Sequence, residues 1–160
     1  MKDSKIENLR KRTLISTICS ILIAFVELIN TIIEFWAYFT TDGTFPEHIT
    51  NGVCHIVICV MLVIVSLIFV EVRKKDKPFS ESIIFKLRIL GIVAMIGAYL
   101  PNIVTAIVLI ANGVMTATES LTDLLSAKNF FVCVLGMTIV ILSAVFVYGY
   151  ELQDDMDLIA

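Results

Sequence analysis

Residues 70–91 read Val-Glu-Val-Arg-Lys-Lys-Asp-Lys-Pro-Phe-Ser-Glu-Ser-Ile-Ile-Phe-Lys-Leu-Arg-Ile-Leu-Gly. This stretch holds Arg73, Lys74, Lys75, Lys77, Lys86 and Arg88, six of the chain's twelve Lys and Arg residues, and a long apolar run lies on each side of it. Five more basic residues (Lys2, Lys5, Arg10, Lys11 and Arg12) precede the first apolar run, and only Lys128 lies elsewhere. Basic residues are retained on the cytoplasmic side of membrane segments. The two clusters therefore mark two cytoplasmic segments, and an even number of crossings separates them.

Composition supports this map. The chain has 160 residues, 58% hydrophobic and 17% charged, with a mean hydropathy of +0.93. A soluble domain would be about half apolar and roughly a quarter charged. The excess falls in four runs, about 14–39, 51–72, 89–112 and 130–150, each long enough to cross a bilayer as helix. The expected fold is all-α: a four-transmembrane-helix bundle, one membrane domain over 1–160, with both termini cytoplasmic. Residues 40–50 read as an outer turn around Asp42-Gly43 and Pro46. Residues 113–129 read as an outer loop, and an acidic tail (Glu151, Asp154, Asp155, Asp157) closes the chain as a solvated end.

The first run follows a basic segment, as in a signal peptide. No small-x-small site follows it and apolar residues continue to Phe39, so it reads as a retained helix. Cys19, Cys54, Cys59 and Cys133 all lie inside apolar runs, which argues against a disulfide framework. The net charge of −3 says little, because the signs are segregated. The basic groups flank membrane segments, where topology and anionic lipid account for them, and direct nucleic-acid binding is not expected.

The central loop has a helix start written into it. Ser80 is an N-cap candidate, with Glu81 in the first turn where the helix dipole favours an anion. The third helix therefore begins near residue 80, before the membrane, and places Lys86 and Arg88 in the cytoplasm or the headgroup layer.

Several residues are costly in a bilayer. Glu27, Asn30 and Glu34 lie in the first run, where a charged side chain near the centre costs about 2.5–3.5 kcal/mol. Thr13, Ser16, Ser20, Ala24, Glu27, Thr31, Glu34 and Tyr38 recur at steps of three and four, so they form one small or polar helical stripe. Counted from the cytoplasmic ends at about 1.5 Å per residue, Glu27, Asn30, His55, Asn102 and Thr105 all lie roughly 20–25 Å up their helices, and Glu34 about 31 Å. They converge on one slab in the outer half of the membrane. Pro101 belongs to the same level, where it removes a helical hydrogen bond and crowds the carbonyl of Gly97.

Two readings of this layer stand side by side. In one it is a polar pocket with Glu27 as a protonatable or cation-binding group. In the other the groups satisfy one another as interhelical glue, with Glu34 able to reach interfacial water and His55 either a partner for Glu34 or a solvated edge. Cys54, His55 and Cys59 are poorly spaced as joint metal ligands. No metal site, cofactor motif or catalytic constellation is expected, so the chain reads as non-enzymatic.

Lys77-Pro78-Phe79-Ser80-Glu81, followed by Leu87-Arg88 and Gly91, resembles the central signature of a bacterial family catalogued as domain of unknown function 2975. The tail Leu152-Gln153-Asp154-Asp155-Met156-Asp157-Leu158-Ile159 resembles that family's ending, although the chain closes Leu-Ile-Ala where Leu-Thr-Ile is more usual. The resemblance implies a small four-helix protein of a bacterial plasma membrane. It also implies a functional link to a helix-turn-helix regulator, since genes of the family often neighbour one.

Three roles fit these features. The first is an accessory or regulatory protein acting through partners, either another membrane protein or a homo-oligomer, at a cytoplasmic surface that includes Arg73, Lys74, Lys75 and Lys77. The second is a small oligomeric ion or proton channel or transporter built around Glu27. The third is an immunity or resistance protein. Topology is testable directly. Fusions of a phosphatase active only outside the cytoplasm should be active after residue 44 or 118 and inactive after residue 77 or 160.

Overall fold

The computed structural model describes residues 2–41, 46–75, 80–113 and 126–159. Among the described residues there are four helices: α1 (Lys2–Thr40), α2 (Glu47–Lys75), α3 (Glu81–Ala111) and α4 (Ala127–Ile159). All four are long and apolar enough to cross a membrane. Successive helices run antiparallel, and extensive packing joins α1 to α2, α2 to α3 and α3 to α4. The bundle is therefore serpentine. The end carrying Arg10, Lys11, Arg12, Arg73, Lys74, Lys86 and Arg88 is called the basic end below.

The helices overrun the apolar spans in both directions. α1 begins at Lys2 and α4 continues to Ile159, so the acidic tail is helical. α2 starts at Glu47, four residues before the expected Asn51. Pro46 explains the early start. Its fixed φ suits a helix beginning, and its carbonyl accepts the N–H groups of Ile49 (3.1 Å) and Thr50 (3.3 Å). Residues 47–50, expected as turn, are thus the first turn of α2, with His48 among them.

α3 starts where the sequence places it. Ser80 is the N-cap, and its Oγ accepts the Ile83 N–H at 3.4 Å. The helix runs through Pro101 and stops at Asn112-Gly113, where Gly113 adopts a φ of +69°. That left-handed conformation carries no Cβ penalty in glycine and ends helices commonly.

Two packing modes hold the bundle. Between α1 and α2, α1 buries Thr13, Thr17, Ser20, Ala24 and Thr31. Their hydroxyls are satisfied within α1, as in Thr17 Oγ1 to Thr13 O (2.7 Å) and Ser20 Oγ to Ser16 O (2.8 Å). The small buried stripe thus brings no orphan polar groups to the seam. Between α3 and α4 the backbones themselves approach. A Cβ on Gly91 would lie 2.7 Å from the Gly136 carbonyl oxygen, and one on Gly136 would lie 2.7 Å from that of Gly91. Ser143, one helical stripe along from Gly136, is 0% exposed.

This crossing admits no side chain at either glycine. Gly136→Val should therefore cost about 1–3 kcal/mol through forced separation of α3 and α4. Thermal unfolding in detergent should show this as a lowered midpoint. Ala144→Val, on the exposed face of α4, should change little.

Candidate carboxylate–imidazole ladder and adjoining cavity

Glu27 and Glu34 lie seven residues apart on α1, and His48 and His55 lie seven apart on α2. Seven residues is close to two helical turns, so each pair shares one face. Antiparallel packing sets the two spacings against each other in opposite order. His55 Nδ1 pairs with Glu27 Oε2, and His48 Nδ1 lies 2.6 Å from Glu34 Oε2. The result is a ladder of two carboxylate–imidazole rungs, roughly 10 Å apart along the seam. Asn51 Nδ2 adds a longer contact of 3.4 Å to Glu34 Oε1.

The rung at Glu27 is the more enclosed. Side-chain exposure is 17% for Glu27 and 25% for His55, against 22% and 30% for Glu34 and His48. Each rung can hold one proton between carboxylate and imidazole and remain net neutral. An unpaired carboxylate at this depth would be strongly unfavourable, and the partner imidazole offsets that cost.

His55 therefore meets Glu27, not Glu34 as expected. The reason is the early start of α2, which brings His48 into the helix at the level of Glu34 and leaves His55 one rung deeper. His48 is the residue that sequence reasoning missed. The matched seven-residue spacing was the available signal, hidden by the assignment of His48 to a turn.

The other expected members of the layer lie elsewhere. Asn30 is half-buried on α1 and has no hydrogen-bond partner among the described residues. Thr105 joins α3 to α2: its hydroxyl donates to Pro101 O (2.9 Å) and meets Thr50 Oγ1 at 2.7 Å. Thr105 and Asn102 line a cavity of about 450 Å³ between α2, α3 and α4, bounded also by Cys54, Ala98 and Lys128. Glu27, Asn30, Glu34 and His55 are not among its lining residues. The single layer drawn from depth is thus divided between a hairpin seam and a separate chamber.

A match to a family model covers residues 48–159, described as "Protein of unknown function (DUF2975)". The chain belongs to this family. The matched stretch begins at His48, so it takes in both imidazoles of the ladder and the whole cavity, while α1 with Glu27 and Glu34 precedes it. No curated protein and no solved structure matches the chain. As a member of the DUF2975 family with four apolar helices, it is a multi-pass membrane protein of unknown function.

At the basic end the family member carries a second polar cluster. Glu71 of α2 pairs with Lys86 of α3 and accepts a hydrogen bond from Ser82 Oγ at 2.8 Å, while Lys86 Nζ donates to Ser82 Oγ at 2.6 Å. Lys86, expected in the cytoplasm or the headgroup layer, closes the α2–α3 hairpin. Arg73 and Lys74 are exposed on the last turn of α2, Lys75 ends that helix, and Lys77 lies outside the described residues. A shallow recess lined by Glu7, Arg10, Lys11, Leu14 and Arg73 brings the two basic segments of the sequence together.

A double-variant cycle tests the ladder. His55→Leu strands the Glu27 carboxylate, and Glu27→Leu strands the imidazole. The first should cost about 3 kcal/mol in detergent unfolding, and the double variant should recover most of it. Simple addition of the two single losses would show that the pair is not coupled.

Proposed function

We propose that the protein is a non-enzymatic regulatory or accessory protein of the bacterial plasma membrane, with both termini in the cytoplasm, acting through partners at its basic end. The observation that carries this reading is the helical overrun there. α1 begins at Lys2 and α4 extends to Ile159, well past their apolar runs. The two extensions bear opposite charge, basic for α1 and acidic for α4. Segregated charge on protruding helices gives partners an electrostatic address.

Orientation rests on the charge map, through the preference of Lys and Arg for cytoplasmic segments. The absence of catalysis rests on the lack of any catalytic motif in the sequence. A regulatory setting agrees with the gene neighbourhood that the family resemblance implies.

A second reading is favoured by the ladder itself, since paired carboxylates and imidazoles in membrane segments often carry protons. Against conduction, the ladder sits in the half of α1 and α2 away from the basic end. Below it the α1 hydroxyls of Thr17 and Ser20 are turned back onto their own helix.

Tagged intact protein, extracted in mild detergent, should capture a defined partner, and deletion of residues 151–160 should abolish capture without impairing membrane insertion. Proteoliposomes of the wild type should show no proton or ion flux. If the intact chain captures nothing and the deletion has no phenotype, the partner reading fails. Wild-type flux abolished by Glu27→Gln would establish the channel reading in its place.

A further inference from the structure

The recess lined by Glu7, Arg10, Lys11, Leu14 and Arg73 follows from the register of the first hairpin. Residue 27 faces residue 55, and residue 34 faces residue 48. Carried about 26 Å toward the basic end along both helices, the same register sets residue 10 level with residue 72. Arg10 and Arg73 therefore reach one height, although the sequence holds them far apart.

That height is the border of the apolar spans. The first apolar run begins at Leu14 and the second ends at Val72. Leu14 forms the apolar edge of the recess, and cations from both helices stand just beyond it. Lipid headgroups occupy the layer immediately outside the hydrocarbon.

Charge in the recess is unbalanced. Its lining holds three cations and one carboxylate, and that carboxylate, Glu7, is engaged with Lys11 at 2.8 Å. Glu71, close to Arg73 in the chain, is held by Lys86 and Ser82. Arg73 has no ion pair or side-chain hydrogen bond among the described residues. The acidic end of α4 brings no relief, because among the described residues α4 packs extensively on α3 alone. Two guanidinium groups at one height repel each other, and an anion that accepts from both offsets the repulsion. Phosphate oxygens match the guanidinium fork in bidentate geometry.

We propose that this recess binds the phosphate of one anionic phospholipid headgroup between Arg10 of α1 and Arg73 of α2, with Leu14 against the start of an acyl chain. The site goes beyond the partner reading, since its ligand is the membrane itself. Leu14 and the height of the recess decide for a lipid over an acidic protein segment. An exposed acidic helix gains nothing from an apolar wall at the edge of the hydrocarbon.

Native mass spectrometry of the intact protein in mild detergent, titrated with phosphatidylglycerol or phosphatidylcholine, tests the assignment. The wild type should prefer phosphatidylglycerol. Arg10→Gln and Arg73→Gln should each lower that preference about fivefold, the scale of one basic residue at an anionic surface. Both arginines are exposed, so each variant should keep the wild-type elution and melting midpoint. Lys74→Gln is the control. Lys74 is exposed beside Arg73 but does not line the recess, and its loss should leave the preference unchanged. An equal loss in Lys74→Gln would show unlocalised surface charge. Displacement of the lipid by excess inorganic phosphate would assign the recess to a free anion, and displacement by a peptide of residues 151–160 would assign it to an acidic helix. Any of these three results, no preference in the wild type, or an unchanged preference in either arginine variant would overturn the proposal.

Discussion

A carboxylate placed inside a bilayer must find a partner, because water is not available to solvate it. In this protein that demand sets the register of the first hairpin. Glu27 and Glu34 can both be satisfied only when α2 lies antiparallel with His55 and His48 at matching heights. Sliding α2 by one turn would strand both carboxylates together. The two rungs thus act as an index between helices whose remaining contacts, small residues and aliphatic side chains, specify height far less sharply.

The same logic extends to α3 by polar contacts at both ends of the α2–α3 hairpin. Thr50 meets Thr105 at one end, and Glu71 meets Ser82 and Lys86 at the other. The α3–α4 interface obeys different physics. There, close backbone approach at Gly91 and Gly136 supplies the packing that lipid offers no hydrophobic drive to replace. That close point lies toward the basic end, and the cavity opens on its other side, along residues 94–109 of α3 and 126–132 of α4. Tight contact in one half of an interface and a chamber in the other are two parts of one arrangement.

Much of the fold was legible in the chain. Apolar run length specified four helices and the end of α3 near residue 112, and Ser80 and Glu81 marked its start. These are local signals, carried by apolar runs, caps and charge. The site was legible only in part. Glu27, Glu34 and His55 stood out because charge in an apolar run is costly, but their pairing did not follow. His48 escaped because Pro46 reads equally as a turn residue and as a helix start. Glu71 escaped because it looked like the ordinary end of a span. Asn102 and Thr105 were placed in one layer with Glu27 and His55, yet they line a cavity bounded by α4 and do not meet the α1 carboxylates.

By itself the sequence determined four helices long and apolar enough to cross a membrane, the segregation of charge at one end and the height of each polar residue along its own helix, since all three follow from residue type and a constant rise per residue. Only the tertiary structure decided which carboxylate meets which imidazole, that α1 packs on α2 alone among its extensive contacts, and that a cavity lies between α2, α3 and α4. The physical reason is that depth is a one-dimensional quantity. Which faces meet depends on the rotation and register of each helix, and these are settled jointly by contacts between residues far apart in the chain.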